Sequence, residues 1–330
     1  MDRRVFLALC GAALTIRSMP TQAQEASRLR TIGVLMGLAD DRETHARALA
    51  IEQGLAKRGW IVGHNLRIEY RYAASDPIQM AKLSHELVAL QPDLIVGHST
   101  PVVAALLKAT HTIPIVFVVV SDPVGSGFVA SLARPGGNVT GFSVLQPTIT
   151  GKYLSILREL DSKLTRVGLL YNPDAVPSAG VPYTPSFQES ANEFKVLPIT
   201  AEVRSEDQIK SAMTNLATTQ HSALIVLPDN YVTVHRKMII SLAADLRIPA
   251  IYSYRYYADE GGLLSYGVDV LDLFRRAPDY IDRILRGAKP AELPVQAPRK
   301  FELVINMKTA RSLGITVPRI LLAGADALIE

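Results

Sequence analysis

The residues best suited to hold a small solute stand just beyond predicted strands in both halves of the chain. In an open parallel α/β sheet, ligands bind beyond the carboxyl ends of the strands. Hydroxyls and helix N–H groups there suit a carboxylate, an aspartate suits an ammonium group, and tyrosines offer flat, amphipathic contact. The candidates selected by this rule are Leu38, Ser99, Thr100, Ser121 and Asp122 from the first half and Asn172, Asp229, Asn230, Tyr252 and Tyr254 from the second, with Tyr266 as a further aromatic contact.

Each candidate also has a purely structural explanation. Asp122-Pro123 is a common turn, and Asp229-Asn230 suits the cap of a helix that begins near Thr233. Thr100 followed by Pro101 has the pattern of a helix N-cap with proline at the first helical position. Any single tyrosine can be a half-buried surface residue. The prediction of a ligand site therefore depends on the whole set.

The sequence lacks the patterns of the common catalytic and cofactor sites. It has no Gly-rich phosphate loop with Lys-Ser/Thr, no Gly-x-Ser-x-Gly elbow, and only part of a dinucleotide fingerprint at Gly125-Ser126-Gly127. The seven histidines show no metal-ligand spacing. His98 and Ser99 are neighbours, which point apart in most backbones, so a nucleophile–base pair is disfavoured. We expect no catalytic residue, no cofactor and no metal.

The elements that must position the candidates occur twice along the chain. A strand at Leu94–Val96, a polar turn, a helix and a second strand are echoed from Leu224 onward. Gly33 and Gly168 begin the two copies 135 residues apart, and the Ile-Pro openings of later strands, at 113 and 248, are also 135 residues apart. The repeat predicts an α/β protein with two similar, doubly wound parallel-sheet lobes.

The same pattern suggests where the lobes begin and end. We assign residues 30–143 plus about 264–290 to lobe one, and residues 144–263 plus about 291–330 to lobe two. Two or three segments would then join the lobes as a hinge, and the strand ends of the two sheets would line the walls of a cleft between them.

The N-terminus has the pattern of a secretory signal peptide over residues 1–23. Arg3 and Arg4 precede an apolar stretch that is too short to span a membrane, and small residues allow cleavage after Ala23. The start also resembles a twin-arginine signal, although the general route is favoured. Leu9 before Cys10 fits a lipoprotein anchor poorly. The sequence therefore predicts an exported, periplasmic protein.

Composition narrows the possible partners. The 330 residues are 48% hydrophobic and 20% charged, as in ordinary globular proteins. The formal net charge is +4, and residues 1–23 contain three arginines and one aspartate. The rest of the chain is therefore close to neutral, which predicts no nucleic-acid partner. The single cysteine lies in the predicted signal peptide, which leaves no disulfide and no thiolate site.

Several stretches resemble the bacterial ABC-transporter substrate-binding proteins, in the group that includes the tryptophan and tyrosine binders. The resemblance covers nearly all of the chain after the signal peptide, and its most specific part is a twelve-residue run that begins at Ala130. The stretches that carry it are Pro114–Phe117, Asp122–Gly125, Ala130–Gly141, Ile248–Tyr252, Gly261–Gly267, Asp272–Ala277 and Phe301–Asn306. The chain departs from the family pattern after Asn172-Pro173, where Pro177, Pro182 and Pro185 replace a regular helix.

The resemblance implies a type I periplasmic-binding fold and a monomeric receptor that closes on a small solute and docks on a permease in the inner membrane. Under this reading the solute is amino acid-like or a small organic anion, taken up by an ABC importer. An enzyme acting on a small solute on the same two-lobe fold is the alternative. A sugar-type transcriptional regulator would need a DNA-binding headpiece where the signal sequence stands.

Overall fold

Two β-sheets with helices packed against them form the framework of the molecule. The computed structural model describes residues 29–144, 148–175 and 183–330. The predicted signal peptide, Pro177 and Pro182 lie outside the described residues. No helix within the described ranges is both long and apolar enough to cross a membrane.

The first sheet has five parallel strands and three helices. Its aliphatic runs are almost fully buried, as expected for strands covered on both faces. The strand order is β2-β1-β3-β4-β5. The elements are β1 (Arg30–Met36), α1 (Arg42–Ala56), β2 (Leu66–Tyr72), α2 (Pro77–Ala89), β3 (Leu94–His98), α3 (Thr100–Ala109), β4 (Ile115–Val120) and β5 (Val139–Ser143).

The second sheet has seven strands in the order β12-β11-β10-β9-β8-β6-β7, all parallel to their neighbours except for the antiparallel pair β10–β11. Its elements are α4 (Ile149–Leu160), β6 (Arg166–Tyr171), α5 (Thr184–Phe194), β7 (Leu197–Glu202), α6 (Glu206–Ala217), β8 (Ser222–Val226), α7 (Asn230–Val234), α8 (Arg236–Asp245), β9 (Ala250–Tyr252), α9 (Arg255–Asp259), β10 (Leu264–Val268), α10 (Val270–Leu285), a 3₁₀ turn (Pro290–Glu292), β11 (Phe301–Asn306), α11 (Met307–Ser312), α12 (Arg319–Gly324) and β12 (Ala327–Ile329).

The duplication predicted from the sequence is confirmed. The run β7-β6-β8-β9-β10 repeats the strand order β2-β1-β3-β4-β5. Equivalent glycines have the same packing role in the two sheets. A Cβ on Gly33 would lie 3.2 Å from a methyl of Leu87, and one on Gly168 would lie 2.9 Å from a methyl of Leu216. In each sheet the central strand thus carries a glycine that lets a covering helix approach closely. The predicted fold class, two α/β parallel-sheet lobes, is confirmed.

One segment lies elsewhere than the sequence grouping expected. Residues 264–290 were grouped with lobe one, but β10 pairs with β9 and β11 in the second sheet. Helix α10 does pack on lobe one, where Pro278 contacts Gly54 of α1 and the indole N–H of Trp60 donates to Asp282 Oδ1 at 2.7 Å. β10 and one face of α10 are both apolar and buried, so the sequence gives little sign that the chain changes lobe between them.

The segments that pass between the lobes are bonded to one another. The chain crosses after β5, between β10 and α10, and again before β11. At the second crossing, the Asp269 backbone N–H donates to the Lys300 carbonyl at 3.1 Å, and the Lys300 ammonium contacts Asp269 Oδ2 at 2.9 Å. Gln296 hydrogen-bonds through its backbone to Gly141 and Ser143, so residues just before the third crossing lie along β5. We propose lobe boundaries at Asp269 and at residues 297–300.

Two further segments depend on their tertiary context. Residues 125–132 form turns, at the start of which Asp122 Oδ1 accepts from the Gly125 N–H at 2.8 Å. The apolar tail contributes a further strand, β12, which pairs with β11. Both reflect tertiary context, since a lone three-residue strand has no sequence signature of its own.

Replacing Gly141 with alanine should destabilise lobe one by about 3 kcal/mol, because a Cβ there would collide with the carbonyl oxygen of Phe117 in β4. Gly137→Ala is the matched control, since no atom lies within 4 Å of its added Cβ. Urea unfolding of both variants measures the difference. Equal unfolding midpoints for the two variants would contradict the prediction, because they would show that β5 shifts to accommodate the Cβ with no loss of stability.

Candidate functional site

The ends of the strands from both sheets meet around one cavity. Residues that follow β1, β3 and β4 form one wall, and residues that follow β8 and β9 form the other. The space between them is partly open to solvent. We call it the polar chamber; it is lined by Leu38, Arg47, His98, Ser99, Thr100, Pro101, Val119, Ser121, Ala175, Pro228, Asp229, Asn230, Thr233, Tyr254, Tyr256 and Val270.

Seven of the eleven residues selected from the sequence line this chamber. They come from both lobes, although they are far apart in the chain. They are Leu38, Ser99, Thr100, Ser121, Asp229, Asn230 and Tyr254. The strand-end rule therefore brings most of the set together, as the two-lobe architecture requires.

Two of the remaining four serve the loops beside the chamber. The Asn172 backbone N–H donates to Asp229 Oδ2 at 2.8 Å, while its own side chain accepts from the Asp174 N–H at 2.8 Å. Asp122 accepts a hydrogen bond within its turn and does not line the chamber. Both residues thus have the structural roles that asparagine and aspartate commonly take in turns.

The other two are tyrosines that lie away from the polar chamber. Tyr252 is the last residue of β9, is 1% exposed, and stacks on Tyr257 in the core with ring centroids 4.8 Å apart. Tyr266 lies within β10, half-buried and stacked near Phe301 at 6.3 Å. Both side chains still belong to strands, whereas Tyr254 stands two residues beyond its strand and reaches the cavity.

Ser99 joins the two lobes directly. It is the N-cap of α3, one residue earlier than the sequence pattern suggested, and its side chain does not cap the helix. Its hydroxyl instead accepts a hydrogen bond from Asn230 Nδ2 of lobe two at 2.8 Å. A side chain on Gly37 would collide with the same Asn230 amide, so this glycine permits the approach.

The backbone is strained at two positions of the chamber wall. Ser99 has φ of 84° and Val119 has φ of 65°, in the left-handed region that non-glycine residues rarely adopt. Val119 also sits at an irregularity in the β4–β5 register. Each such residue costs about 1–3 kcal/mol, and such strain persists mainly where surrounding contacts enforce it and clusters at functional sites.

Arg236 makes a second contact across the cleft. Its guanidinium bonds to Asp41 Oδ2 of lobe one at 2.9 Å and to Glu260 of lobe two at 2.9 Å. Asp41 uses its other oxygen to cap α1. The ring of Tyr256 lies between two cations, with Arg236 and Arg47 each 5.6 Å from its centroid. Together with the Ser99–Asn230 bond, these contacts describe a closed arrangement of the lobes.

Arg47 is a buried cation without an acidic partner. It lies on the buried face of α1 and is 2% exposed, yet no carboxylate within the described ranges lies within 4 Å of its guanidinium. Arg47 makes a long polar contact with His98, 3.5 Å from Nη1 to Nε2. Burial, and then the Arg47 charge, hold the pKa of His98 well below its usual range, so the imidazole is neutral. Glu43 lies one turn earlier on α1, beyond ion-pair distance, and the Arg47 charge offsets part of the rise that burial causes in the pKa of Glu43.

Arg47 was not among the residues selected from the sequence. The available signal was its position on α1, where it shares a face with Thr44, Ala48, Ile51 and Leu55, all of them buried. A lone arginine on an otherwise apolar helix face is a buried charge that needs an acceptor. Its place in the cleft follows only from the packing of α1 beside β3.

Asp229 supplies a carboxyl group on the facing wall. It caps α7 by accepting from the Val232 N–H through Oδ1 at 2.8 Å, and it holds the Asn172 loop through Oδ2. Burial raises the pKa of its carboxyl to about 7, and the backbone N–H donors oppose that rise. The cap expected from the sequence is present, with the helix beginning at Asn230 rather than near Thr233.

A second, more apolar space adjoins the polar chamber and shares Pro228 and Tyr254 with it. We call it the aromatic chamber; it is lined by Val144, Ile149, Tyr153, Tyr183, Pro228, Ser253, Tyr254, Gly267, Val268 and Phe301. Among the described residues, two tyrosine hydroxyls are buried without a hydrogen-bond partner: that of Tyr183, which lines this chamber, and that of Tyr256, which lines the polar chamber. Buried polar groups are normally satisfied, so unpaired hydroxyls on the walls of a cavity suit a bound molecule.

Within the described part of the chain, no group of three or more His, Cys, Asp or Glu side chains is arranged to hold a metal ion.

Comparison with known proteins gives consistent results. A family model described as ABC transporter substrate binding protein matches residues 32–329. A tyrosine-binding protein of Clostridioides difficile (strain R20291) is 28% identical over 261 residues, which are 79% of this chain and 74% of that protein.

Solved structures are similar over the same region. A conserved domain protein from Vibrio cholerae has a TM-score of 0.83 and 30% identity, covering 91% of this chain and 100% of that one. The ABC domain of Streptococcus pneumonia in complex with L-Trp has a TM-score of 0.83 and 29% identity, covering 91% of this chain and 99% of that one.

The raised pKa of Asp229 should make stability depend on pH. Its folded value of about 7 lies above the ordinary value of 3.8, so the folded protein binds this proton more tightly than the unfolded chain does. The resulting contribution to the free energy of unfolding is present below the unfolded pKa and is lost as pH rises through about 7. From pH 5 to pH 8, wild type should lose about 2 kcal/mol relative to Asp229→Asn, which has no such proton.

Urea unfolding of both proteins at the two pH values measures this change. A difference between wild type and Asp229→Asn that stays constant with pH would show that the carboxyl titrates normally and is well solvated.

Proposed function

Because this chain belongs to the family of ABC transporter substrate-binding proteins, we propose that it is the periplasmic receptor of an ABC importer and that its solute is an amino acid with an aromatic side chain. As a family member it is the substrate-binding component of an ABC transporter, which implies a small-molecule ligand and a permease partner. The direction of transport, the compartment and the kind of solute are parts of the proposal.

The unpaired charge of Arg47 is the observation that carries the proposal. A buried guanidinium without a counter-ion is unfavourable, and a carboxylate that enters the chamber supplies both charge and two parallel acceptors. Asp229 lines the same chamber and suits an ammonium group. A carboxylate and an ammonium on one small molecule describe an α-amino acid. Ser99, Thr100 and Ser121 add hydroxyls beside the carboxylate end.

The aromatic chamber supports the choice of side chain. It continues from the polar chamber past Tyr254 and is walled by Tyr153, Tyr183 and Phe301, with Ile149 and two valines. Flat rings stack on such walls in offset or edge-on geometry and lose little conformational entropy on binding. The similarity to a tyrosine-binding protein and to a domain bound to L-Trp supports the same class of solute.

A ligand in this position would favour the closed state because it contacts both lobes at once. Arg47 and Ser99 belong to lobe one, whereas Asp229 and Tyr254 belong to lobe two. A hinge motion is biased only by contacts that differ between the open and closed states. We propose that the permease recognises the closed form, and that the monomeric receptor reaches the periplasm through the signal peptide expected at residues 1–23.

We propose no enzymatic activity for the cleft. Ser99 Oγ accepts from Asn230, whereas the ring nitrogens of His98 face the Gly37 N–H at 3.4 Å and Arg47 at 3.5 Å. The adjacent serine and histidine therefore do not form a nucleophile–base pair in this arrangement.

The proposal is tested by thermal unfolding of the purified protein with the twenty amino acids and a set of small organic anions. At a hundredfold excess over Kd, L-tryptophan or L-tyrosine should raise Tm by about 5 °C, because a ligand that binds only the folded state stabilises it by mass action. No shift with any aromatic amino acid would contradict the proposed solute class.

Arg47→Met should weaken binding of the aromatic amino acid at least about thirtyfold, because its carboxylate loses a buried charged partner. The free protein should be no less stable than wild type, since the variant removes an unpaired buried charge. Lys57→Met, which removes an exposed positive charge next to α1, is the matched control and should bind normally. Calorimetric titration measures the affinities of wild type and the two variants, and urea unfolding measures the stability of the free proteins. Unchanged affinity in Arg47→Met would place the carboxylate elsewhere.

A further inference from the structure

The aromatic chamber has few polar groups, and those beside its floor are already bonded to one another. The Tyr153 hydroxyl donates to Ser253 Oγ at 3.0 Å, and Ser253 Oγ donates to the carbonyl of Val226 at 2.9 Å. This chain of bonds uses the donors of both hydroxyls. Neither has a free proton to offer to a molecule in the chamber.

Tyr183 is different from Tyr153, although both rings line the chamber and both are 1% exposed. Its hydroxyl is buried and has no hydrogen-bond partner among the described residues. A hydroxyl taken out of water without a partner is unfavourable, and a partner on a bound molecule removes that cost. A hydroxyl can both donate and accept, so it can bond to a ring hydroxyl or to a ring N–H.

Resting on the proposed function, we propose that Tyr183 is a specificity residue: its hydroxyl favours aromatic amino acids whose ring carries an O–H or N–H group over those with a plain benzyl side chain. The phenol and indole rings offer that group, and the benzyl ring leaves the Tyr183 hydroxyl unpaired in the closed cleft. Recognition by a buried polar group discriminates strongly against analogues that lack the matching atom.

Ser121 is the neighbour that offers a competing explanation. Burial raises the pKa of Tyr183 to about 12, and the nearby Ser121 hydroxyl of lobe one offsets part of this rise. If Tyr183 acted only as a support that reaches across the cleft toward Ser121, its loss would weaken every solute to the same extent. Selectivity among solutes separates the two roles.

The test is calorimetric titration of the protein, purified without the predicted signal peptide, with L-tyrosine, L-tryptophan and L-phenylalanine. Wild type should bind the better of the first two about ten- to a hundredfold more tightly than L-phenylalanine. Tyr183→Phe should lose this preference and keep its affinity for L-phenylalanine within about threefold, since only one unpaired oxygen is removed. Tyr153→Phe removes a hydroxyl on the same wall that is already bonded to Ser253, so it should leave the ratio of the three affinities unchanged even if it lowers each of them.

The outcomes are distinct. Tyr183→Phe that weakens all three solutes equally would overturn the specificity role and leave the aromatic solute class intact. Wild type that binds L-phenylalanine as tightly as the other two would also overturn it. Failure of all three solutes to bind wild type would contradict the proposed function, and the inference with it.

Discussion

In the closed arrangement of the two lobes the guanidinium of Arg47 is buried away from water. The free-energy cost of desolvating this charge is the main constraint on the site. The residue is 2% exposed and makes no ion pair with a carboxylate of the described residues, although Glu43 lies one turn away on α1. The groups in contact with it are a neutral imidazole and the rings of Tyr256 and Phe274, which lie 5.6 and 5.8 Å away. Aromatic faces stabilise a cation only modestly, whereas desolvating an unpaired charge costs several kcal/mol. A carboxylate in the chamber would offset that cost, which links closure of the cleft to occupancy of the site.

Direct contacts between the two lobes stabilise the closed arrangement even without a solute. Arg236 joins Asp41 to Glu260, and Ser99 joins Asn230, each through bonds of 2.8–3.0 Å. Hydrogen bonds from Thr44 and Arg236 outweigh burial and hold the pKa of Asp41 below its usual range, so its charge persists near neutral pH. These bonds join the two lobes in the closed arrangement. The zwitterion that we propose as solute would add to these contacts by pairing with Arg47 and Asp229 simultaneously.

The sequence predicted the framework well because repeated glycines and apolar strands are local signals. The spacing of Gly33 and Gly168 identified the duplication, and the strand-end rule found Ser99, Asp229 and Tyr254. Arg47 was missed because its burial depends on how α1 packs beside β3, which no local pattern encodes. Tyr252 and Tyr254 look alike in sequence and differ by where β9 ends. The lobe boundary that we propose at Asp269 was missed because β10 and the apolar face of α10 are both buried, and neither pattern tells which sheet the element joins.

The central claim is that the charged groups of one solute lie between Arg47 and Asp229 with its ring in the aromatic chamber. A crystal structure of the protein grown with L-tryptophan tests it most directly. The account predicts the carboxylate within hydrogen-bonding distance of the Arg47 guanidinium, the ammonium at Asp229, and the ring beyond Tyr254 near Tyr183. Density for the amino acid outside the cleft, or with its ring against Arg47 and its charged end among Tyr153 and Phe301, would contradict it.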